Sequence, residues 1–131
     1  MGVNYLLDTH AFVWAVARPD RLGDSARVAI ADPTSTLHVS AATAWELATK
    51  VRLGKFPEAE PLVARYRLLV EELGAAPLAV TDEHALRAGG LRWDHRDPFD
   101  RMLASQALWE NVVLVTKDRV FQDLAGLQIL W

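Results

Sequence analysis

The chain has 131 residues, and its 14 lysines and arginines against 17 aspartates and glutamates give a formal net charge of −3. This length suits one domain over residues 1–131, since a second hydrophobic core would need more chain. With 51% hydrophobic and 24% charged residues, the composition excludes disordered and low-complexity proteins. The mild acidity argues against a histone-like nucleic-acid binder, although it is compatible with an enzyme that carries a local basic rim.

The sequence contains no cysteine, which excludes disulfide frameworks, thiolate zinc sites and cysteine nucleophiles. The apolar segment 3–17 lacks a basic region before it and is interrupted by Asp8 and His10, so it does not fit a signal peptide. No uninterrupted apolar run approaches the ~20 residues that span a bilayer. We therefore expect a soluble, cytoplasmic protein that has no membrane association.

Five short apolar runs along the chain are typical of strands. They are 3–7, 37–39, 77–80, 112–115 and 127–130. The fourth run is continuously apolar, which is typical of a strand covered on both faces, and the last suits an edge strand. Between these runs the apolar residues follow a different spacing, as expected where strands and helices alternate.

Three of the intervening segments show the apolar spacing of helices with one buried face. Ser40 suits the N-cap of the first helix and Gly54 its end, while Asp97 and Pro98 suit the start of the third. The helical segments are 40–51, 60–73 and 97–108. Strands that alternate with helices predict a three-layer α/β/α domain with a mainly parallel central sheet of four to five strands.

Carboxylates stand where the carboxyl ends of these strands are expected, which is where parallel sheets bind ligands. Asp8 directly follows the first predicted strand, and Asp118 follows the fourth. Glu46 lies in the helix after the second strand, and Asp100 lies in the first turn of the third helix. Gathered carboxylates repel one another until protonation or a cation relieves the repulsion. An oxygen-only ligand set favours Mg²⁺ or Mn²⁺, and such an ion can activate water for attack on a phosphodiester.

Each acid also has a purely structural interpretation. Asp8 and Asp118 suit turns or helix caps, and Asp97 suits an N-cap. Asp100 suits the favourable end of a helix dipole. Glu46 is harder to explain in this way because it stands among apolar residues. Taken one at a time, these acids are weak evidence for a site.

Four segments carry the acids in a fixed order along nearly the whole chain. They are Leu6–His10, Ser40–Ala48, His95–Ala107 and Leu114–Asp118. Taken together, these segments resemble the four motifs of the PIN domain, and they are most similar to the VapC-type toxins of bacterial and archaeal toxin–antitoxin modules. The resemblance implies a Mg²⁺- or Mn²⁺-dependent ribonuclease that acts on RNA. It also implies a homodimer that a small VapB-type antitoxin protein inhibits.

Carried onto this chain residue by residue, the resemblance implies a catalytic and metal-binding set and a set that supports it. The catalytic and metal-binding residues are Asp8, Glu46, Asp100 and Asp118. The residues that orient carboxylates or water are Thr9, Ser40, Asp97 and Thr116. Asp100 is preferred to Asp97 as the direct ligand because it immediately precedes the apolar part of the helix, as the acid of the family does.

Basic residues stand beside the motifs and are candidates for gripping RNA phosphates, although solvated helix faces or ion pairs would also explain them. The candidates for substrate binding are Lys50, Arg96, Arg101 and Lys117. Among the tryptophans, Trp93 is the best candidate for stacking on a base, because its neighbours predict a loop. Trp14 and Trp45 fall in apolar helical patterns and are expected in the core or in dimer contacts.

Two other classes of protein place acids at the ends of parallel strands. A receiver-like phosphoacceptor switch needs an adjacent acid pair after the first strand and one aspartate after the third, and this chain has neither. A phosphatase of the haloacid dehalogenase type needs a second aspartate two residues beyond Asp8, where this chain has His10. A non-catalytic PIN-like binding module stays open beside the leading hypothesis of an endoribonuclease toxin.

Overall fold

A computed structural model describes residues 2–131 and contains five parallel strands in one sheet. The strands are β1 (Asn4–Leu7), β2 (Thr36–Ser40), β3 (Ala76–Leu78), β4 (Val113–Val115) and β5 (Ile129–Leu130). Their order across the sheet is β3-β2-β1-β4-β5, and each neighbouring pair is parallel. All five predicted strands are therefore confirmed, with shifts of one or two residues at several ends.

Within residues 2–131, seven α-helices and three 3₁₀ helices connect the strands. The α-helices are α1 (Thr9–Ala17), α2 (Asp24–Ala31), α3 (Ala41–Arg52), α4 (Glu60–Ala64), α5 (Tyr66–Leu73), α6 (Asp82–Gly90) and α7 (Pro98–Glu110). The 3₁₀ helices are Pro19–Arg21, Pro57–Ala59 and Arg119–Asp123. No helix in this described range is long and apolar enough to cross a membrane.

The helix predicted over 60–73 is in fact two helices. Arg65 separates α4 from α5 with φ −117° and ψ 20°, which lies outside the helical region. The two helices pack against different neighbours, because α4 contacts α3 while α5 contacts α1 and β3. The apolar spacing correctly predicts helical structure in this segment, but a single straight helix could not reach both surfaces.

Two hydrophobic cores lie on opposite faces of the sheet. The neighbours Leu6 and Leu7 on β1 are both fully buried, and each belongs to a different core, because successive residues of a strand point to opposite faces. Phe12 of α1 and Leu47 of α3 fill the first core, and Leu103 of α7 lies in the second. Each such side chain contributes about 1.5–3 kcal/mol through its burial. Helices thus cover both faces, which confirms the predicted three layers.

The strand order reverses between β1 and β4. From β1 the chain continues outward through β2 to β3, and it then returns to place β4 on the other side of β1. The backbone N–H of Asp8 donates to the carbonyl of Val115 at 3.0 Å, so the carboxyl ends of these two strands are joined. In open parallel sheets, the crevice at such a reversal is the usual place for a ligand.

Candidate active site

Asp8 stands at this reversal, as the first residue after β1. It caps α1 by accepting a hydrogen bond from the N–H of Ala11 at 2.8 Å. Burial raises the pKa of its carboxyl to about 6, against the lowering effect of hydrogen bonds from the Thr116 side chain and from Ala11. The negative charges of Asp100 and Glu46 raise this pKa further. Asp8 is therefore within electrostatic reach of two of the other acids.

Glu46 is almost completely buried, with only 4% of its surface exposed. One carboxylate oxygen accepts a hydrogen bond from the hydroxyl of Thr9, and the other forms an ion pair with Lys50. Thr9 also contacts the buried hydroxyl of Thr43 at 3.4 Å. A buried carboxylate is costly unless it is paired and hydrogen-bonded, and these partners meet that requirement.

Lys50 was predicted to contact substrate, and the structure places its ammonium on Glu46. Burial lowers the pKa of Lys50, but the hydrogen bond and the charge of Glu46 outweigh this effect and raise it overall, with help from Asp97 and Asp100. The sequence contained a signal for this pair, because residues i and i+4 on a helix are neighbours. Lys50 thus compensates the most deeply buried of the four acids.

Asp100 and Asp97 occupy different positions at the start of α7. Asp97 caps the helix, since one of its oxygens accepts from the N–H groups of Phe99 and Asp100 at 2.8 and 3.2 Å. Asp100 instead pairs with Nε2 of His95 at 2.7 Å. Burial raises the pKa of Asp100, the bond to His95 lowers it, and the charges of Asp97 and Glu46 raise it. Asp100 rather than Asp97 is therefore the acid with a side chain free of the helix cap.

Asp118 differs from the other three acids in its exposure to solvent. Its carboxylate accepts a hydrogen bond from the N–H of Val120 at 3.0 Å, which caps the 3₁₀ helix Arg119–Asp123. Its own N–H donates to the hydroxyl of Thr116, which links it to Asp8 through that side chain. Burial lowers the pKa of His10, and the charge of Asp118 is among those that oppose this effect. Asp118 thus borders the site on the side of His10.

The structure brings Asp8, Glu46 and Asp100 together and places Thr9 and Thr116 against them. Ser40 is buried and caps α3 by accepting from the N–H of Ala42 at 3.0 Å. Within residues 2–131, no three or more histidine, aspartate or glutamate side chains already converge on one point as the ligands of a single metal ion. The observed arrangement is therefore a concentration of acidic groups, two of which have a local partner of their own in Lys50 and His95.

Arg101, a predicted substrate-binding residue, clamps the loop before α7. Its guanidinium donates to five backbone carbonyls, at distances from 2.7 to 3.5 Å. The acceptors are Ala88, Gly89, Leu91, Trp93 and His95. Because a guanidinium has five N–H groups, this set engages all of them and leaves no free donor for a phosphate. Arg96 and Lys117, the other two predicted cations, are exposed.

The surroundings of three tryptophans bear on the roles predicted for them, and the dimer contact predicted as one alternative for Trp45 stays a prediction. Trp93, predicted to be free for stacking, packs against Phe121 and His95 with ring centroids 5.6 and 5.0 Å apart. Trp45, expected in the core or in a dimer contact, is not in the core, because 62% of its surface is exposed. Trp14 packs against the first core, as expected. Apolar spacing alone could not distinguish the exposure of Trp45 from that of Trp14, since both residues lie in sequence patterns that predict a buried helix face.

The fold and the acids together define an α/β protein with an acidic site where the strand order reverses. A model of the PIN domain matches residues 5–127. The chain therefore belongs to the PIN domain family.

Comparison with known proteins finds one relative and several similar structures. The chain is 36% identical over 66 residues to Ribonuclease VapC16 of Mycobacterium tuberculosis, in a match that covers 49% of this chain and only 47% of that protein. VapBC2 from Rickettsia felis, bound to a DNA fragment from its promoter, has a TM-score of 0.71 at 20% identity over 98% of both chains. VapBC-1 from nontypeable Haemophilus influenzae has a TM-score of 0.65 at 24% identity over 98% of this chain and 97% of that one. These structural likenesses support the fold.

The raised pKa of Asp8 predicts a pH-dependent stability. Between its ordinary value of 3.8 and about 6, the folded protein holds a proton that the unfolded chain releases. The free energy of unfolding should therefore fall as the pH rises through this window. Asp8→Asn keeps the helix cap but does not titrate. As the pH rises through this window, the free energy of unfolding of Asp8→Asn should therefore increase relative to that of the wild-type protein by up to about 3 kcal/mol. Urea unfolding from pH 4 to 7 in EDTA measures this difference, and a constant difference would contradict the assignment.

The clamp formed by Arg101 predicts a stability effect that charge alone does not explain. Arg101→Lys keeps the charge but has too few donors for the five carbonyls, so we expect a loss of about 2 kcal/mol in the free energy of unfolding. Arg96→Lys is the matched control, and its exposed side chain should change stability by less than ~0.5 kcal/mol. Equal stability of the two variants in urea would instead favour the phosphate-binding role for Arg101.

Proposed function

We propose that this protein is a metal-dependent endoribonuclease and the toxin of a toxin–antitoxin module. The observation that carries the proposal is the cluster of Asp8, Glu46 and Asp100 at the strand reversal of a PIN domain, where burial and, to a smaller extent, the charges of Asp100 and Glu46 raise the pKa of Asp8. The partial match to a named ribonuclease supports the activity. The likeness to VapBC structures supports the role in a toxin–antitoxin module.

The chemistry of the donors fits a hard divalent cation. All of the proposed ligands offer carboxylate oxygens, and the repulsion among them is what a cation relieves. Asp8, Glu46, Asp100 and Asp118 would hold Mg²⁺ or Mn²⁺. When bound, such an ion supplies a water of lowered pKa and neutralises charge on the leaving oxygen. Lys50 supplies positive charge to Glu46 in the absence of an ion.

The residues around the acids position them for this chemistry. Thr9 orients Glu46 through its hydroxyl, and Thr116 connects Asp8 to Asp118. His95 holds Asp100, and the carbonyl of His95 is in turn held by Arg101. Thr9 belongs to the first turn of α1, Thr116 directly follows β4, and His95 belongs to the clamped loop, so each partner limits the movement of the acid that it contacts. Exposed Arg96 and Lys117 are the cations placed to meet RNA phosphates.

The partners we propose are an RNA substrate, a small VapB-type antitoxin protein and a second copy of this chain. The similar structures are those of VapBC proteins, which supports an antitoxin as one partner. A non-catalytic binding module is a second candidate, favoured by the lack of a three-ligand arrangement among residues 2–131. Isothermal titration with Mn²⁺ separates the two, since a scaffold should bind no ion at millimolar concentration.

The nuclease proposal predicts that cleavage depends on both the acids and the metal. Asp8→Asn and Asp100→Asn should each slow cleavage of a mixed RNA pool by at least about 100-fold, equivalent to ~2.7 kcal/mol of transition-state stabilisation. Asp24→Asn is the matched control, because Asp24 also lies in the first turn of a helix but has a fully exposed side chain. EDTA should stop cleavage and added Mn²⁺ should restore it. Full activity in EDTA, or in both site variants, would contradict the proposal.

The different positions of Asp97 and Asp100 predict different effects of the same substitution. Asparagine caps a helix about as well as aspartate, so Asp97→Asn should keep both the stability and most of the cleavage rate. Asp100→Asn should keep stability but lose cleavage, because it removes a proposed ligand. Urea unfolding and RNA cleavage measured on both variants test this, and the reverse order of cleavage rates would make Asp97 the direct ligand.

A further inference from the structure

An aromatic pair, the exposed Trp45 and the half-buried Phe99, borders the acidic cluster. The ring of Trp45 on α3 meets the ring of Phe99 on α7 at 4.7 Å, in an edge-to-face arrangement. Each ring belongs to a residue next to one of the proposed ligands, since Trp45 precedes Glu46 and Phe99 precedes Asp100. Adjacent Cα atoms are only ~3.8 Å apart. The contact between the two rings therefore joins α3, which carries Glu46, to the first turn of α7, which carries Asp100.

Trp45 forms one wall of a cleft of about 410 Å³. Small residues of α3 and α6, including Ala42, Ala85 and Gly89, also line this cleft. Most of the lining is apolar, with Val80 and Met102 among the contributors. The size falls in the range of small-molecule sites, ~300–1,000 Å³. A flat apolar group that can stack on an indole ring matches these walls.

One cation at this cleft has no competing partner. Arg96 lines it, is exposed, and takes part in none of the ion pairs among residues 2–131. Arg101 also lines the cleft, but its donors are engaged by the loop carbonyls. A ligand that combines a planar ring with a negative charge would satisfy both Trp45 and Arg96. Nucleotides of an RNA strand have this combination.

We propose that this cleft binds one unstacked base of single-stranded RNA beside the phosphate to be cleaved. Trp45 stacks on the base, and Arg96 contacts a neighbouring phosphate. Stacking of bases on aromatic side chains is the usual way in which proteins hold single-stranded RNA. The inference rests on the proposed ribonuclease function, and it adds to that function a subsite for one nucleotide. The proximity of the acids favours a base over a protein segment as the occupant.

The first experiment measures binding of the full-length chain to a labelled single-stranded oligoribonucleotide by fluorescence anisotropy, in EDTA and low salt. Trp45→Ala should weaken binding about 5- to 100-fold, and Trp45→Phe should recover most of the affinity. Trp109→Ala is the matched control, because Trp109 is also exposed but is covered by Arg87 at 4.2 Å outside the cleft. Unchanged affinity in Trp45→Ala, or an original protein that binds no RNA, overturns the subsite.

A second measurement uses oligoribonucleotides in which one base at a time is removed. The original protein should lose affinity when one particular base is missing, and Trp45→Ala should be insensitive to that same removal. A loss of stability alone would not produce this pattern. Equal sensitivity to base removal in both proteins overturns the proposal.

A third measurement tests the proposed phosphate contact. Arg96→Ala should reduce the salt dependence of binding by about 0.7 in the logarithmic slope, the value for one contact to a single strand. Arg92→Ala is the control, since Arg92 lines a different cleft, and it should leave the slope unchanged. Equal slopes in Arg96→Ala and the original protein overturn this part of the proposal.

The remaining possibility is that a second copy of the chain covers Trp45. Light scattering on Trp45→Ala should give the same molecular mass as the original protein, and a changed mass overturns the subsite. A different result would contradict the proposed ribonuclease function, namely that the wild-type protein does not cleave RNA in the presence of Mn²⁺. If the original protein cleaves RNA but Trp45→Ala binds it normally, only the subsite fails.

Discussion

The site depends on the pairing of β1 with a strand on each side. A buried strand must satisfy its backbone hydrogen bonds, and β1 does so by pairing with β2 and with β4. This pairing brings the ends of β1 and β4 together, where the N–H of Asp8 meets the carbonyl of Val115. It also sends the chain into α1 at Asp8 and leaves Thr116 beside that carboxylate. The position of the first acid therefore follows directly from the pairing of the sheet.

The acids around this point repel one another, and neighbouring side chains compensate most of their negative charge. Glu46 is neutralised by Lys50 and held by Thr9, while Asp100 is held by His95. Asp8 has no basic partner of this kind among its described hydrogen bonds, and its pKa is raised to about 6. A functional site often concentrates such perturbed groups at a cost in stability. Here the loss of stability comes mainly from Asp8, which is the acid nearest to the strand reversal.

The loop before α7 shows how a charged residue can serve structure instead of ligand binding. Arg101 holds the carbonyls of residues 88–95, and one of these belongs to His95, the partner of Asp100. An ordered loop then leaves Arg96 as the free cation beside the cleft of Trp45. The distinction between Arg96 and Arg101 has a simple physical origin. Arg101 lies on α7 within reach of five loop and helix-end carbonyls, whereas Arg96 lies in the loop itself and is exposed.

Much of the fold could be predicted because its signals are local. Five short apolar runs predicted the strands. The caps at Ser40 and Asp97 predicted two helix starts, and the acids after the strands predicted where a site would form. The break at Arg65 could not be predicted, because it depends on which surfaces α4 and α5 cover. The roles of Trp45 and Trp93 were also beyond the sequence, since burial depends on neighbours that are distant along the chain.

The sequence by itself determined the alternation of strands and helices and the acidic residues available at the strand ends. It did so because apolar periodicity and capping depend on residues only a few positions apart. Only the tertiary structure decided that Asp8, Glu46 and Asp100 lie together while Asp118 stands at the border. It also decided that Arg101 binds carbonyls and that Trp45 faces solvent. These outcomes depend on contacts between segments brought together by the pairing of β1 with β2 and β4, and no local pattern encodes them.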